Sequence, residues 1–141
     1  MKPLKPDYSD PLEAEPAQAE PLPHGPALRQ FKDPSYKPLS GSLADARAGI
    51  DALDLKIIAL IAERAMFVKD AARFKASAFQ VSAPQRQAQV FAKARHLAGI
   101  ENKGFAGLED VVESTYRAMV AGFISAEQRY FDSELTELEK P

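Results

Sequence analysis

A short basic stretch of the chain is the first candidate for chemistry. Residues 73–86 (RFKASAFQVSAPQR) contain three cations, Arg73, Lys75 and Arg86, and no acid, although the 141-residue chain has a formal net charge of −2. Between these cations the side chains are mostly small and all uncharged. Positive side chains gathered in this way bind carboxylates or phosphates well. The stretch therefore predicts an anion site at a connection between two helices.

A further cation lies on the apolar face of the helix that precedes this stretch. Arg64 shares a helical stripe with Ile57, Ile61 and Val68. Arg64 and Lys75 are separated by about 1100° of helical rotation, so they point within roughly 20° of each other, about 16 Å apart along the axis. A guanidinium in an apolar stripe is costly without an anion. We therefore expect Arg64 and Lys75 to converge on an anionic ligand.

Arg47 lies near the start of the same helix, about 42 Å from Lys75 along a straight axis. No small molecule reaches both side chains of one chain. If Arg47 serves the same site, it must come from a partner subunit whose first helix runs antiparallel. The spacing thus predicts a homodimer with sites built from both chains.

The first helix is predicted over residues 43–76. Ser42 is a suitable N-cap, and Asp45 places negative charge near the positive end of the helix. Apolar residues then recur at three- and four-residue steps, and Gly49 is the one glycine or proline in this segment. A helix of about thirty residues is long for a single small domain, which favours a partner chain alongside it.

Two more helices are predicted downstream, and no segment has the pattern of a strand. The second helix takes Ser82 as its cap and Pro84 in its first turn, and it stops at Gly99. The third begins after Gly107 and runs to about Asp132. The sequence therefore predicts an all-α fold with three helices per chain, the first of them long.

Gln128 continues the line of Val120 and Ile124 on the third helix, where its amide is a candidate hydrogen-bond donor. The alternative for such a residue is a structural hydrogen bond. Most single cations on amphipathic helices likewise remain solvated or form surface pairs. We assign three cations to this surface class: Lys69, Arg73 and Arg95.

Composition excludes several function classes. The chain has no cysteine, and its two histidines, His24 and His96, have no second histidine at ligand spacing, so no metal site is expected. No apolar run reaches the roughly 20 residues of a membrane span, and no signal-peptide pattern opens the chain. The charge balance gives no reason to expect nucleic acid. These features predict a cytoplasmic protein.

The chain divides by composition into three parts. Nine of the eleven prolines precede residue 39, so residues 1–41 are predicted to be an extended, largely disordered tail. Residues 42–133 form the predicted helical domain, and residues 134–141 form a short acidic tail. A docking tail for a polyproline-recognising partner is the functional alternative for the first part.

Four stretches in order carry a family resemblance: LADARAGIDALDLKIIALIAER, RFKAS, SAPQR and SAEQRYF. Together they resemble the all-helical chorismate mutase family over about residues 42–132. The RFKAS, APxR and AEQ stretches are most similar to its isochorismate pyruvate lyase branch. The resemblance implies an intertwined homodimer with three helices per chain, antiparallel first helices and two equivalent sites.

The resemblance also implies a ligand and a set of site residues. The ligand is chorismate or isochorismate, a dicarboxylate with an enol ether, and the reaction requires no metal or cofactor. By matching position, Lys75 and Gln128 are the implied catalytic residues. The implied substrate-binding residues are Arg47 of the partner chain, Arg64, Ala83, Arg86 and Gln87.

Two positions leave the reaction open. Chorismate mutases of this family commonly have an acid just after the Arg86 position and another three residues before it, where this chain has Gln87 and Ala83. Ala83-Pro84 is more similar to the lyase branch. Rearrangement of chorismate to prephenate is the first prediction. Cleavage of isochorismate to salicylate and pyruvate is the alternative, and one site can support both. A non-catalytic helical dimerisation module is the alternative from another class.

Overall fold

Three long helices dominate the computed structural model, which describes residues 18–138. Helix α1 spans Leu43–Ala71 and continues into a 3-10 turn, Ala72–Phe74. The short helix α2 spans Ala78–Ser82, α3 spans Pro84–Glu101, and α4 spans Leu108–Ser133. Residues 18–138 contain no strand. The predicted all-α fold with a long first helix is confirmed.

The chain divides after Ile58 into two compact units. In the first unit, the side-chain oxygen of Ser42 accepts a hydrogen bond from the Asp45 N–H at 3.1 Å, which confirms the predicted N-cap of α1. The carbonyl oxygen of Pro23 accepts another from the Ala44 N–H at 2.8 Å. Two of the N–H groups that a helix start leaves unpaired are thereby satisfied.

The described residues before α1 form turns and irregular structure. The Asp33 carboxylate accepts hydrogen bonds from the hydroxyl and the N–H of Ser35, and these bonds lower the pKa of Asp33. The rings of Phe31 and Tyr36 lie 4.3 Å apart across this turn. Residues 1–17 of the predicted disordered tail lie outside the described residues, as do residues 139–141.

Helix α1 has no buried residue. Its apolar side chains are at least one-third exposed along most of its length, including Ile50, Leu53, Ile57, Leu60 and Ile61. An apolar surface of this extent is unusual on an isolated protein. The exposure therefore calls for an explanation at the level of assembly.

The second unit has its core between α3 and α4. Phe91, Ala94 and Ala98 recur at three- and four-residue steps on α3 and are buried, as is Val120 on α4. The guanidinium of Arg117 lies 4.5 Å from the Phe91 ring and covers the rim of this core. The predicted start of the third helix after Gly107 is confirmed, and its end lies one residue beyond the prediction.

The predicted stop of the second helix at Gly99 is wrong, because α3 continues to Glu101. The chain turns at Asn102 instead. The Asn102 side-chain oxygen accepts hydrogen bonds from the N–H groups of Gly104 and Phe105, and its amide donates to the Phe105 carbonyl. These three bonds organise the turn, so a glycine inside the helix does not terminate it.

Helix α2 lies in the segment that was predicted to be a plain connection. Ser77 caps it, since its hydroxyl accepts from the Gln80 N–H, and the Gln80 side chain accepts from the Ala76 N–H in return. This arrangement is similar to a capping box, except that the Gln80 side chain bonds the N–H of Ala76, the residue before the cap. The same spacing of Ser and Gln occurs at Ser82 and Gln85, where it was predicted to start a helix.

Ser82 does not cap α3, so that part of the prediction is wrong. The residue before α3 is Ala83, which has φ 45° and makes no side-chain cap. Its N–H donates to the Phe79 carbonyl and closes α2. Pro84 then occupies the first turn of α3, as predicted. A left-handed residue thus joins α2 to α3 without an intervening loop.

Candidate active site

A cavity of about 400 Å³ lies in the second unit. It is bounded by the last turns of α1, the α2–α3 junction and α4. Four ionisable side chains line it: Arg64, Lys75, Arg86 and Glu127. The walls between them are largely apolar and include Phe67, Val68, Val81, Val120 and Ile124. A small cavity with apolar walls and three cations suits a compact organic anion.

Lys75 reaches the cavity from beyond the end of the first helix. The predicted helix to residue 76 is too long, because α1 ends at Ala71 and the chain tightens into a 3-10 turn. Lys75 has extended backbone, φ −100° and ψ 142°, and its N–H donates to the Ala72 carbonyl at 3.3 Å. The rotation argument for Arg64 and Lys75 fails there, although the structure brings both residues to the cavity.

Arg64 is half-buried and lies against aromatic rings. Its guanidinium carbon is 5.5 Å from the centre of the Phe123 ring and 5.9 Å from that of Tyr116. Such stacking supports the cation and leaves the N–H groups at its edge able to bind a carboxylate. Within residues 18–138, Arg64 forms no ion pair.

Arg86 and Ala83 form the side of the cavity nearest the α2–α3 junction. Both also line an adjoining depression of about 530 Å³, together with Lys75. Arg86 is exposed and makes no ion pair with any described residue. Its place between the two spaces makes it accessible to an anion that enters from solvent.

Gln87 lies in the same wall and directly follows Arg86 on α3. Its side-chain amide nitrogen donates to the Ser82 carbonyl at 2.6 Å. That bond fixes the amide, and the oxygen at its other end is an acceptor. Gln87 is therefore suited to accept a hydrogen bond from a ligand hydroxyl.

Glu127 is a cavity residue that the sequence reasoning missed. The residue is 5% exposed, and its carboxylate accepts a hydrogen bond from the Lys75 ammonium at 3.0 Å. Helical spacing could have revealed it. A residue seven positions after Val120 is rotated about 700° around the helix axis, and a residue eight positions after it is rotated about 800°. Glu127 therefore faces within roughly 20° of Val120, while Gln128 points about 80° away.

Gln128 is not one of the residues that line the cavity. Its amide nitrogen donates to the Ala78 carbonyl at 2.8 Å and lies 3.4 Å from the Ser82 hydroxyl. In this arrangement Gln128 fastens α2 to α4. Its neighbour Glu127 holds the position on the cavity wall that had been expected for the amide.

Arg47 is exposed in the first turns of α1 and belongs to the first unit. It is not among the residues that line the cavity. The second unit thus brings Arg64, Lys75 and Arg86 together, and Arg47 is not part of that unit.

The cations assigned to the surface are on the surface. Arg73 pairs with Asp70 at 3.0 Å, and Arg95 pairs with Asp110 at 2.7 Å. The hydrogen bond from Arg95 to Asp110 raises the pKa of Arg95. Lys69 lies 4.6 Å from the centre of the Tyr130 ring.

Metal-binding clusters and membrane-spanning helices are both absent from the described residues. Within residues 18–138, no group of three or more histidine and acidic side chains is arranged to hold a metal ion. The helices in the same part of the chain are each too short or too polar to cross a membrane.

Comparison with known proteins gives two matches. The family model for chorismate mutase type II matches residues 46–128, which is more than half of the chain. An isochorismate pyruvate lyase from Pseudomonas aeruginosa is 33% identical over 89 residues, covering 63% of this chain and 84% of that protein. The matched region contains all the residues that line the cavity. On these grounds the chain belongs to the chorismate mutase type II family.

Proposed function

We propose that the protein rearranges chorismate to prephenate in the cavity between α1, the α2–α3 junction and α4. The observation that carries the proposal is the convergence of Arg64, Lys75 and Arg86 on one apolar-walled space of about 400 Å³. Chorismate is a dianion with a six-membered ring, so it requires both the charge and the apolar surface. Family membership supports the same reaction.

The arginines bind the two carboxylates. Arginine presents a planar fork of N–H donors, which matches a carboxylate in a bidentate pair. Arg64 is held in orientation by Phe123 and Tyr116, so little of its freedom remains to be lost on binding. The apolar walls then hold the enolpyruvyl group over the ring in its reactive conformer, which lowers the entropic part of the barrier.

Lys75 stabilises the transition state. As the ether C–O bond breaks, negative charge develops on the ether oxygen, and a donor placed there beforehand favours that charge over the ground state. The side chain of Lys75 is largely shielded from solvent, and its ammonium carries three N–H donors. Gln128 remains a predicted second donor to this oxygen. Its amide nitrogen donates one N–H to Ala78 and lies 3.4 Å from the Ser82 hydroxyl, so the side chain must turn toward the cavity before its second N–H reaches that oxygen.

A second candidate is cleavage of isochorismate to salicylate and pyruvate. It is favoured by the 33% identity to an isochorismate pyruvate lyase. It is also favoured by Ala83 and Gln87, which line the wall where acids are expected in a mutase. The two reactions break the same kind of ether bond, so the same cations serve both.

A side-by-side assay separates these candidates. Purified protein is incubated with chorismate and, separately, with isochorismate, and prephenate and salicylate are measured. We expect prephenate from chorismate. If salicylate is the only product, the lyase activity replaces the proposed mutase activity. If both prephenate and salicylate form, one site has two activities. Survival of both substrates would leave the non-catalytic dimerisation module.

Replacement of Lys75 tests the mechanism. Lys75→Ala is expected to lower kcat/KM on the order of a hundredfold or more, about 3 kcal/mol of transition-state stabilisation. The matched control is Lys69→Ala, since Lys69 is exposed and lies against Tyr130 outside the cavity. Because Lys75→Ala leaves Glu127 without its ion-pair partner, thermal unfolding of each variant is measured alongside. Normal turnover by folded Lys75→Ala protein would contradict the role.

We further propose that the protein is a homodimer with intertwined chains, in which Arg47 completes the partner's site. The exposed apolar residues of α1 support this proposal, since a second α1 would cover them. In a two-fold dimer each site would take Arg47 from one chain and Lys75 from the other.

Mixing two inactive variants tests this arrangement. Arg47→Ala and Lys75→Ala are unfolded and refolded together in equal amounts. Half of the dimers are then mixed, and each mixed dimer has one intact site, so about a quarter of the wild-type activity is expected to return. No recovery, or a monomer by light scattering, would overturn the shared site.

A further inference from the structure

We propose that Glu127 is a positioning residue, which holds the Lys75 ammonium in the place where it meets the reacting ether oxygen. The inference rests on the proposed function and adds a residue to it. The role is not catalytic in the strict sense, because Glu127 acts through Lys75.

The ion pair joins two distant parts of the chain inside the cavity. Glu127 on α4 is 5% exposed, and its carboxylate lies 3.0 Å from the Lys75 nitrogen. The side chain of Lys75 is itself only 23% exposed. Among the described residues that line the cavity, Glu127 is the one acid. Burial and cavity position distinguish this pair from the exposed ion pairs of the same helix.

Lys75 needs an anchor because its backbone does not provide one. It lies beyond the end of α1 in extended backbone, and its side chain is long and flexible. A single hydrogen bond to a buried carboxylate fixes the nitrogen and leaves two N–H donors for a ligand. A reacting group displaced by about 1 Å can lose on the order of a hundredfold in rate. Fixing the ammonium is therefore worth a measurable factor.

Stabilisation of the fold alone does not explain the ion pair between Lys75 and Glu127. A buried ion pair seldom stabilises a fold more than well-packed apolar residues of the same volume. The neighbours of Glu127 on the cavity wall, Phe123 and Ile124, are apolar, so an apolar residue would suit the fold. Glu127 also offsets one of the cavity's three cations. This offset prevents the substrate dianion from binding too tightly. Tighter binding of the substrate would lower KM without accelerating the reaction.

The test is Glu127→Gln, which keeps the size and removes the charge. We expect kcat to fall on the order of tenfold to a hundredfold, while KM stays unchanged or falls. Glu127→Asp should recover part of the loss, since it keeps the charge at a shorter reach. The control is Glu113→Gln on the same helix, whose carboxylate pairs with Arg117 and Arg95 outside the cavity. Its kcat and KM should match those of the wild type.

A double-mutant cycle shows whether Glu127 acts through Lys75. In a Lys75→Ala background, Glu127→Gln should cost less than twofold in kcat, because the residue it positions is gone. An independent readout is the ¹H–¹⁵N NMR signal of the Lys75 ammonium. A held ammonium gives a resolved signal, which should weaken or vanish in Glu127→Gln and persist in Glu113→Gln.

The outcomes separate this inference from the proposed function. If the wild type converts neither substrate, the proposed function fails, and the NMR comparison still tests the anchoring of Lys75. If the wild type is active and Glu127→Gln has normal kcat, the positioning role is overturned. Equal losses from Glu127→Gln with and without Lys75 would overturn it too, since they would indicate a separate role for Glu127.

Discussion

Two groups of arginines in the second unit have different surroundings. On its exterior, Arg73, Arg95 and Arg117 each have an acid within hydrogen-bond distance. In the cavity, Arg64 and Arg86 have no such acid among the described residues. Exposed pairs of the first kind contribute little to stability. Under the proposed function, arginines of the second kind bind the carboxylates of the substrate.

The two groups also show what aromatic contacts do. Arg117 lies over Phe91 and pairs with Glu113, whereas Arg64 lies over Phe123 and pairs with no acid of residues 18–138. The aromatic contact is common to both, so it does not mark the site. A neighbouring acid is therefore the difference between these two arginines, whereas Lys75, the third cavity cation, does have such an acid in Glu127.

The largest effect is expected from removing a cavity cation. Arg64→Met should lower kcat/KM on the order of a hundredfold, because a charge-assisted pair with a substrate carboxylate is lost. Arg117→Met, which also removes a guanidinium from an aromatic ring, should leave kcat/KM within twofold. Steady-state kinetics on both variants makes the comparison, and equal losses would abolish the distinction between the two groups.

A smaller effect is expected from introducing an acidic residue beside a cavity cation. Val68 lies one helical turn after Arg64 and lines the cavity, so Val68→Glu places a carboxylate beside the guanidinium. The new carboxylate competes with the substrate, and KM should rise about tenfold. Ala121→Glu, at an exposed position on α4, is the control. An unchanged KM in Val68→Glu would show that Arg64 does not bind substrate.

Arg64 is also expected to destabilise the folded protein when no ligand is bound. Arg64→Met removes a half-buried charge that has no acid partner among the described residues, so the free energy of unfolding should rise by about 1 kcal/mol. The cation–π contact that is lost offsets part of this gain. Thermal or urea unfolding of the ligand-free variant measures the change. A less stable variant would mean that Arg64 is a structural residue.

The smallest effect is expected on the exterior. Asp110→Asn removes the nearer of the two acids that pair with Arg95, and both Asp110 and Arg95 are exposed. Water and salt screen such a pair, so no measurable change in melting temperature or activity is expected. A clear loss of stability at moderate salt would contradict the assignment of Arg95 to the solvated group.

Much of the fold follows from periodicity in the sequence. The long apolar patterns of α1 and α4 predict helices whose starts are confirmed at Leu43 and Leu108. The α2–α3 junction could not be predicted in this way, since Ser77 and Ser82 are each followed three residues later by Gln. As N-cap signals, the two Ser–Gln pairs have the same residue types at the same spacing. The left-handed conformation of Ala83 selects between them, and propensity does not foresee it in an alanine.

The candidate site shows a similar limit. The place of Arg64 could be anticipated because a cation in an apolar stripe is conspicuous, whereas Lys75 and Arg86 were expected beside it from the basic stretch 73–86 and the family resemblance. The acid beside Lys75 was missed because Glu127 and Gln128 are neighbours, and one residue along a helix is about 100° of rotation. The shared site with Arg47 remains a prediction, because it depends on a second chain.

The hydrogen bond from Ala44 to the Pro23 carbonyl bears on how the gene is shortened for laboratory work. The family match begins at residue 46, and the predicted helical domain begins at residue 42, so either number invites a cut that removes Pro23. Such a cut would expose a helix-end amide that the natural chain satisfies itself. Fraying of the opening turn would then loosen Arg47. Under the proposed shared site, kinetics on the trimmed protein would understate what the natural enzyme does.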